Sequence, residues 1–177
     1  MSFSFTRKTD YALVGLASLS EADQAGRGAV SVRQIAERFG LPLPLLMNVM
    51  KDLNRAGLVE SKRGPSGGYI LARPAADITI ADVIEAIEGP VALTACCDEA
   101  ADEDDHCLGC RLTERCPITG AMQRFNDLVV KFLQRMTLAE MMQDDVEFTL
   151  HINPSRASAK VKSGENGSRS MRLVEVI

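Results

Sequence analysis

Apolar residues recur along the first ninety positions with the spacing of short helices. Over residues 10–20, Tyr11, Leu13, Val14, Leu16, Ala17 and Leu19 predict a mostly buried helix. A Gly-containing loop follows at residues 23–28. Ser31 then opens a capping box with Gln34, and Val32, Ile35, Ala36 and Phe39 follow at i, i+3, i+4 and i+7 until Gly40 stops the helix. Over residues 44–56, Leu46, Val49, Met50 and Leu53 share one face, and Gly57 ends the pattern. Two helices separated only by Gly40-Leu41-Pro42-Leu43 predict a helix-turn-helix.

Two short strands, residues 58–63 and 69–72, flank Gly64-Pro65-Ser66-Gly67-Gly68 and predict a β-hairpin. The turn lacks the order of a phosphate loop, and no helix follows it directly. A helix-turn-helix followed by a hairpin is the winged-helix arrangement, in which the second helix enters the major groove of DNA. Thr79 opens another helix, with Asp82 as its capping-box partner and Ile80, Val83, Ile84 and Ile87 as its apolar stripe, and Gly89-Pro90 ends it. Residues 94–116 show no periodicity.

Pro117 suits the first turn of a long helix. Within it Ile118, Met122, Phe125, Val129, Phe132 and Met136 are spaced 4, 3, 4, 3 and 4. Such a heptad seam packs either on a second copy of the chain or on its own domain. Thr137-Leu138-Ala139-Glu140 is a further capping box, so the helix should break there. After Asn153-Pro154 the composition turns to Ser, Gly, Lys, Arg and Asn, which predicts a disordered tail.

Composition adds limits. The 177 residues are 46% hydrophobic, enough for a core without disulfide staples, and only 5% aromatic with no Trp. No run approaches a membrane span, and the first residues lack an apolar signal core, so a reducing cytoplasm is expected. The net charge of −4 hides an asymmetry. Residues 1–75 carry 10 Lys+Arg against 6 Asp+Glu, a net +4, whereas residues 76–110 carry 10 acids and no base. A basic first module is what phosphate contact needs. With two His and no paired-carboxylate constellation, an enzyme is not expected.

All five cysteines fall in the aperiodic stretch: Cys96, Cys97, Cys107, Cys110 and Cys116, with His106 among them. In a reducing compartment such density points to a metal or an iron–sulfur cluster. His106, Cys107, Cys110 and Cys116 would satisfy zinc, but leave Cys96 and Cys97 over. Spacing alone leaves both metals open.

Four pieces in order resemble the winged-helix iron–sulfur regulators of the IscR and NsrR type. They are Lys8-Thr9-Asp10-Tyr11-Ala12, Arg55-Ala56-Gly57-Leu58-Val59, the wing from Arg63 through Leu71, and the cysteine loop running into the long helix. The Thr-Asp-Tyr start and the Cys110-x5-Cys116-Pro117 stretch are most similar to the branch that regulates SUF cluster assembly. The resemblance implies a dimer with a [2Fe–2S] or [4Fe–4S] cluster whose state controls promoter binding. It implies Cys110 and Cys116 as ligands, with Cys96 or Cys97 as the first and Cys96 favoured. Cys107 has no family counterpart. The IscR type has a His three residues after its last Cys, where this chain has Thr119. In the NsrR type an Asp from the partner subunit completes the shell, and Asp10 occupies that position, unless it simply caps its helix. Met47 stands where IscR carries an acidic base reader.

The expected architecture is therefore mainly α, a winged helix-turn-helix with a small wing and a long C-terminal dimerisation helix. Residues 1–92 would form the DNA-binding domain, 93–117 the cluster loop, 118–150 the dimerisation helix and 151–177 the tail. Candidate contacts to a roughly palindromic promoter are Asn48 at base edges and Lys51, Arg55, Lys62, Arg63, Ser31 and Arg33 around it. The expected function is a homodimeric transcriptional regulator sensing cluster status. The alternative is a zinc-bound winged-helix module without a sensing role.

Overall fold

The computed structural model describes residues 5–64, 67–94, 97 and 115–143. The chain divides into two units, Met1–Glu147 and Phe148–Ile177, and every described residue belongs to the first. The predicted tail, the tip of the wing (residues 65 and 66), and Cys96, His106, Cys107 and Cys110 lie outside the described residues.

The described residues are mainly helical: α1 (Arg7–Gln24), α2 (Val32–Phe39), α3 (Leu43–Arg55), the strands β1 (Val59–Lys62) and β2 (Gly68–Leu71), then α4 (Ile80–Glu88), α5 (Thr119–Arg135) and α6 (Leu138–Met141). A 3-10 turn, Ala75–Asp77, precedes α4. α1 runs beyond the apolar pattern at both ends, because its flanking Arg, Lys, Glu and Gln residues favour helix without showing periodicity. Asp10 is therefore not a cap. It lies within the first turn of α1, exposed, with its amide donating to the Thr6 carbonyl at 3.1 Å.

The three predicted capping boxes are all formed: Ser31 with Gln34, Thr79 with Asp82, and Thr137 with Glu140. Each satisfies two backbone groups that a helix start would otherwise leave bare. Gly40 closes α2 in the left-handed conformation at φ 64°, which lets the chain turn sharply into α3. Pro42 and Pro44 sit at the start of α3, where their missing N–H groups have no helical acceptor to lose.

β1 and β2 pair antiparallel, with Val59 opposite Leu71 and Lys62 opposite Gly68. Val30, just before α2, extends this wing to a third edge. Its amide donates to the Tyr69 carbonyl at 2.9 Å, and the Tyr69 amide donates to its carbonyl at 2.8 Å. Gly68 permits this approach, since a Cβ there would collide with the Val30 carbonyl.

The main core joins Ala12, Leu16 and Leu19 of α1, Ile35 and Ala36 of α2, and Leu46, Val49, Met50 and Leu53 of α3 with Leu58, Val59, Ile78, Val83 and Leu138. A second cluster joins Ile80 and Ile84 of α4 to Leu133 of α5, with Val129, Phe132 and Met136 packed against it. The Ile80 amide donates to the Met136 carbonyl and the Leu138 amide to the Ile78 carbonyl, both at 2.8 Å, fixing the start of α4 to the α5–α6 junction.

The heptad seam is thus divided. Its C-terminal half packs on its own protomer. Ile118 and Phe125 remain 57% and 53% exposed, and Leu128, off the predicted seam, joins them at 52%. No helix among the described residues is long and apolar enough to cross a membrane.

Candidate nucleic-acid interface and cysteine site

The buried face of α3 (Leu46, Val49, Met50 and Leu53) fixes which residues point outward. Pro44, Met47, Asn48, Lys51 and Arg55 are all exposed, at the i, i+3, i+4, i+7 and i+11 spacing of one helix face. Asn48, Lys51 and Arg55 therefore share one exposed face of α3. Arg55 also forms an exposed ion pair with Asp52 at 3.1 Å, and Lys62 one with Glu60 at 3.1 Å. Such pairs are weak in water and release their cation readily to a phosphate.

Lys62 ends β1, and exposed Arg63 follows it into the wing turn. Arg33 is exposed on the first turn of α2. Ser31 differs from the other candidates because its hydroxyl is engaged. It accepts the Gln34 amide at 3.2 Å and meets the Gln34 Oε1 at 3.0 Å. Its structural work is to hold the start of α2.

Among the described residues no group of three or more His, Cys, Asp and Glu comes together. The two described cysteines stand at the two ends of the loop. The Cys97 amide donates to the Thr94 carbonyl at 2.8 Å, and its Sγ lies 3.3 Å from the Thr94 hydroxyl. Cys97 helps to line a cleft of about 420 Å³ together with Ala81, Glu85, Val91, Asn126 and Val130. The buried Asn126 side chain anchors this end, its Oδ1 accepting the Leu93 amide at 2.9 Å.

Cys116 sits just before α5. The Ile118 amide, followed by the Thr119 hydroxyl, hydrogen-bonds its sulfur and holds the thiol below its ordinary value. Donors of this kind favour the thiolate, the form that binds metals. Thr119 therefore supports the neighbouring sulfur in this structure.

A junction that sequence reasoning missed joins the end of α4 to the start of α1. The Glu88 carboxylate accepts the Thr6 amide at 3.1 Å and the hydroxyl of fully buried Thr9. Partial desolvation alone would raise its pKa. The bonds from the Thr9 hydroxyl and from Thr6 outweigh this and hold it below the ordinary carboxylate value. No local signal reveals the pair, because Thr9 and Glu88 are 79 residues apart.

A helix-turn-helix with an antiparallel wing and an outward face of amide and cations defines a winged-helix DNA-binding protein. Residues 5–144 match the Rrf2 model, described as an iron-dependent transcriptional regulator. The chain belongs to the Rrf2 family, and it is accordingly a transcriptional regulator rather than an enzyme. It is 44% identical over 84 residues to the HTH-type transcriptional regulator IscR of Cereibacter sphaeroides. That match spans 48% of this chain and 54% of that protein, about half the length of each. A putative HTH-type regulator, rrf2-like, of Rhodobacter capsulatus is 33% identical over 77% of this chain and 91% of its own. The solved structure of T. potens IscR superimposes with a TM-score of 0.57 at 30% identity, covering 80% of this chain and 87% of that one.

Proposed function

We propose that the protein is a cytoplasmic homodimer that binds promoter DNA through α3 and the wing, and that this binding follows the state of an iron–sulfur cluster held by residues 93–117. In this reading residues 1–92 bind DNA, 118–150 dimerise and 151–177 form a tail. The observation that carries the reading is the exposed α3 face of a winged helix, with Cys97 and Cys116 standing after α4 and before α5, two helices that pack on one another.

The donor chemistry fits a cluster. Cys110, Cys116 and either Cys96 or Cys97 would hold it, with Asp10, exposed on α1, reaching from the other protomer. Cys107 stays outside the shell. A bound [2Fe–2S] or [4Fe–4S] cluster supplies a redox-active cross-link between thiolates. The chain's own residues supply the route to DNA. Asn126 holds the loop after α4 against α5, and Glu88 holds the end of α4 to Thr6 and Thr9 on α1. α1 packs on α3 in the main core, so a shift at the loop reaches the outward face of α3.

Two recognition helices related by a two-fold axis require a roughly palindromic site. The apolar stripe of Ile118, just before α5, with Phe125 and Leu128 on α5 is the surface assigned to the second copy. The genes assigned to this control are those of SUF-type cluster assembly, on the resemblance of the Thr-Asp-Tyr start and the Cys-x5-Cys-Pro stretch.

The test is anaerobic purification with iron and acid-labile sulfide analysis, followed by titration of holo and apo protein on its own promoter at fixed salt. Iron with sulfide and a 5- to 150-fold difference in affinity between the two forms are expected. Zinc alone, or equal affinity and equal sequence preference in both forms, overturns the sensor reading.

A further inference from the structure

α3 presents an uncommon outward face for a DNA-reading helix. Its first two turns, residues 43–50, contain no ionisable side chain. The exposed positions in that stretch are Pro44, Met47 and Asn48, and Met47 is 44% exposed. Charge begins only at Lys51 and continues at Arg55, farther along the same face. The wing contributes Lys62 and Arg63, and α2 contributes Arg33, all exposed. An apolar strip beside a single amide, followed along the same face by the cations Lys51 and Arg55, is complementary to one surface of the duplex. Cations meet phosphates, an Asn amide pairs bidentately with adenine, and apolar atoms meet the thymine C5-methyl group.

Guanine is read mainly by Arg or Lys, and cytosine by Asp or Glu. Neither kind is present in the part of the helix that meets base edges. Pro44 and Met47 are three residues apart, so they form one continuous strip, and Asn48 lies directly beside it. Adjacent side chains reach adjacent base pairs.

We infer that Met47, with Pro44, is a specificity-determining contact to thymine methyl groups, so that each half-site contains consecutive A·T pairs read by Asn48 and Met47. This inference rests on α3 being the DNA-reading helix and is independent of the cysteine loop.

The experiment starts from a random-sequence duplex library selected with the full-length protein. In the best-bound duplex each thymine is then replaced singly by deoxyuridine, which removes the methyl group and leaves base pairing intact. For the wild-type protein, one or two positions per half-site should weaken binding by about 3- to 5-fold, the value of one buried methyl group. Met47→Ala, altered at an exposed position, should bind the thymine duplex more weakly and lose its sensitivity to deoxyuridine at those positions. Sensitivity unchanged in Met47→Ala, deoxyuridine neutral everywhere, or a selected half-site of G·C pairs would each overturn the inference while leaving DNA binding intact. If neither the holo nor the apo protein enriches any duplex, the DNA-reading role of α3 fails, and this inference with it.

Discussion

Truncating Phe125 isolates the proposed dimer contact from the fold of the protomer. Phe125 belongs to neither buried cluster and is 53% exposed, so its removal leaves the packing of α5 on α4 in place. A Phe side chain presents about 200 Å² of surface, of which about half is open here. Burying that half in both protomers removes about 200 Å² from water, worth about 5 kcal/mol at 25 cal/mol per Å². Phe125→Ala keeps a methyl stub, so the expected loss is about 4 kcal/mol, or about a thousandfold in the dimer Kd. Sedimentation velocity over a dilution series measures this directly, and the far-UV circular dichroism spectrum should stay that of the wild type. Val129→Ala is the contrasting variant, because Val129 packs on Ile80 and Ile84 of its own chain. It should lower the urea midpoint by an amount corresponding to about 1–2 kcal/mol, with a smaller effect on association. A Phe125→Ala protein that dimerises as tightly as the wild type would remove the stripe from the interface.

Three further outcomes are expected. Cys110→Ala and Cys116→Ala should each yield colourless, iron-poor protein on anaerobic isolation, while Cys107→Ala keeps wild-type iron and sulfide; two ligand variants with full iron content would refute the assignment. Lys51→Ala should weaken binding to all duplexes alike and reduce the slope of log affinity against log salt by about one, whereas Asn48→Ala should relax preference at one base position at a cost of about 1–3 kcal/mol. Glu88 has a folded-state pKa below its unfolded value, so the stability it contributes is fully present above the unfolded pKa and is lost as pH falls through the folded one. Thr9→Val removes the donor, so chemical denaturation at successive pH values should show a lower plateau near pH 7 and a shallower decline below about pH 4.5 than in the wild type. Parallel curves for the two proteins would show that the pair does not contribute.

Features that depend only on near neighbours in the chain are legible in the sequence by itself. The three capping boxes each need only residues i and i+3, and Gly40 needs only its own freedom at positive φ, so one-dimensional pattern suffices for the helix starts and the turn into α3. The outward face of α3 follows from the same logic, because the burial of Leu46, Val49, Met50 and Leu53 leaves Asn48, Lys51 and Arg55 outside. The amphipathic period could not settle how one seam is shared between two surfaces. The spacing of Ile118 through Met136 is uniform, yet Val129, Phe132 and Met136 meet α4 while Ile118 and Phe125 face away, because α4 is only nine residues long and covers only part of α5. The Val30–Tyr69 pairing that completes the wing and the bonds from Thr6 and Thr9 to Glu88 join residues with no common local signal. Such contacts exist only once the core has brought distant segments together. Only the tertiary structure decided that the end of α4, leading into the cysteine loop, is tied to the first turn of the DNA-binding module.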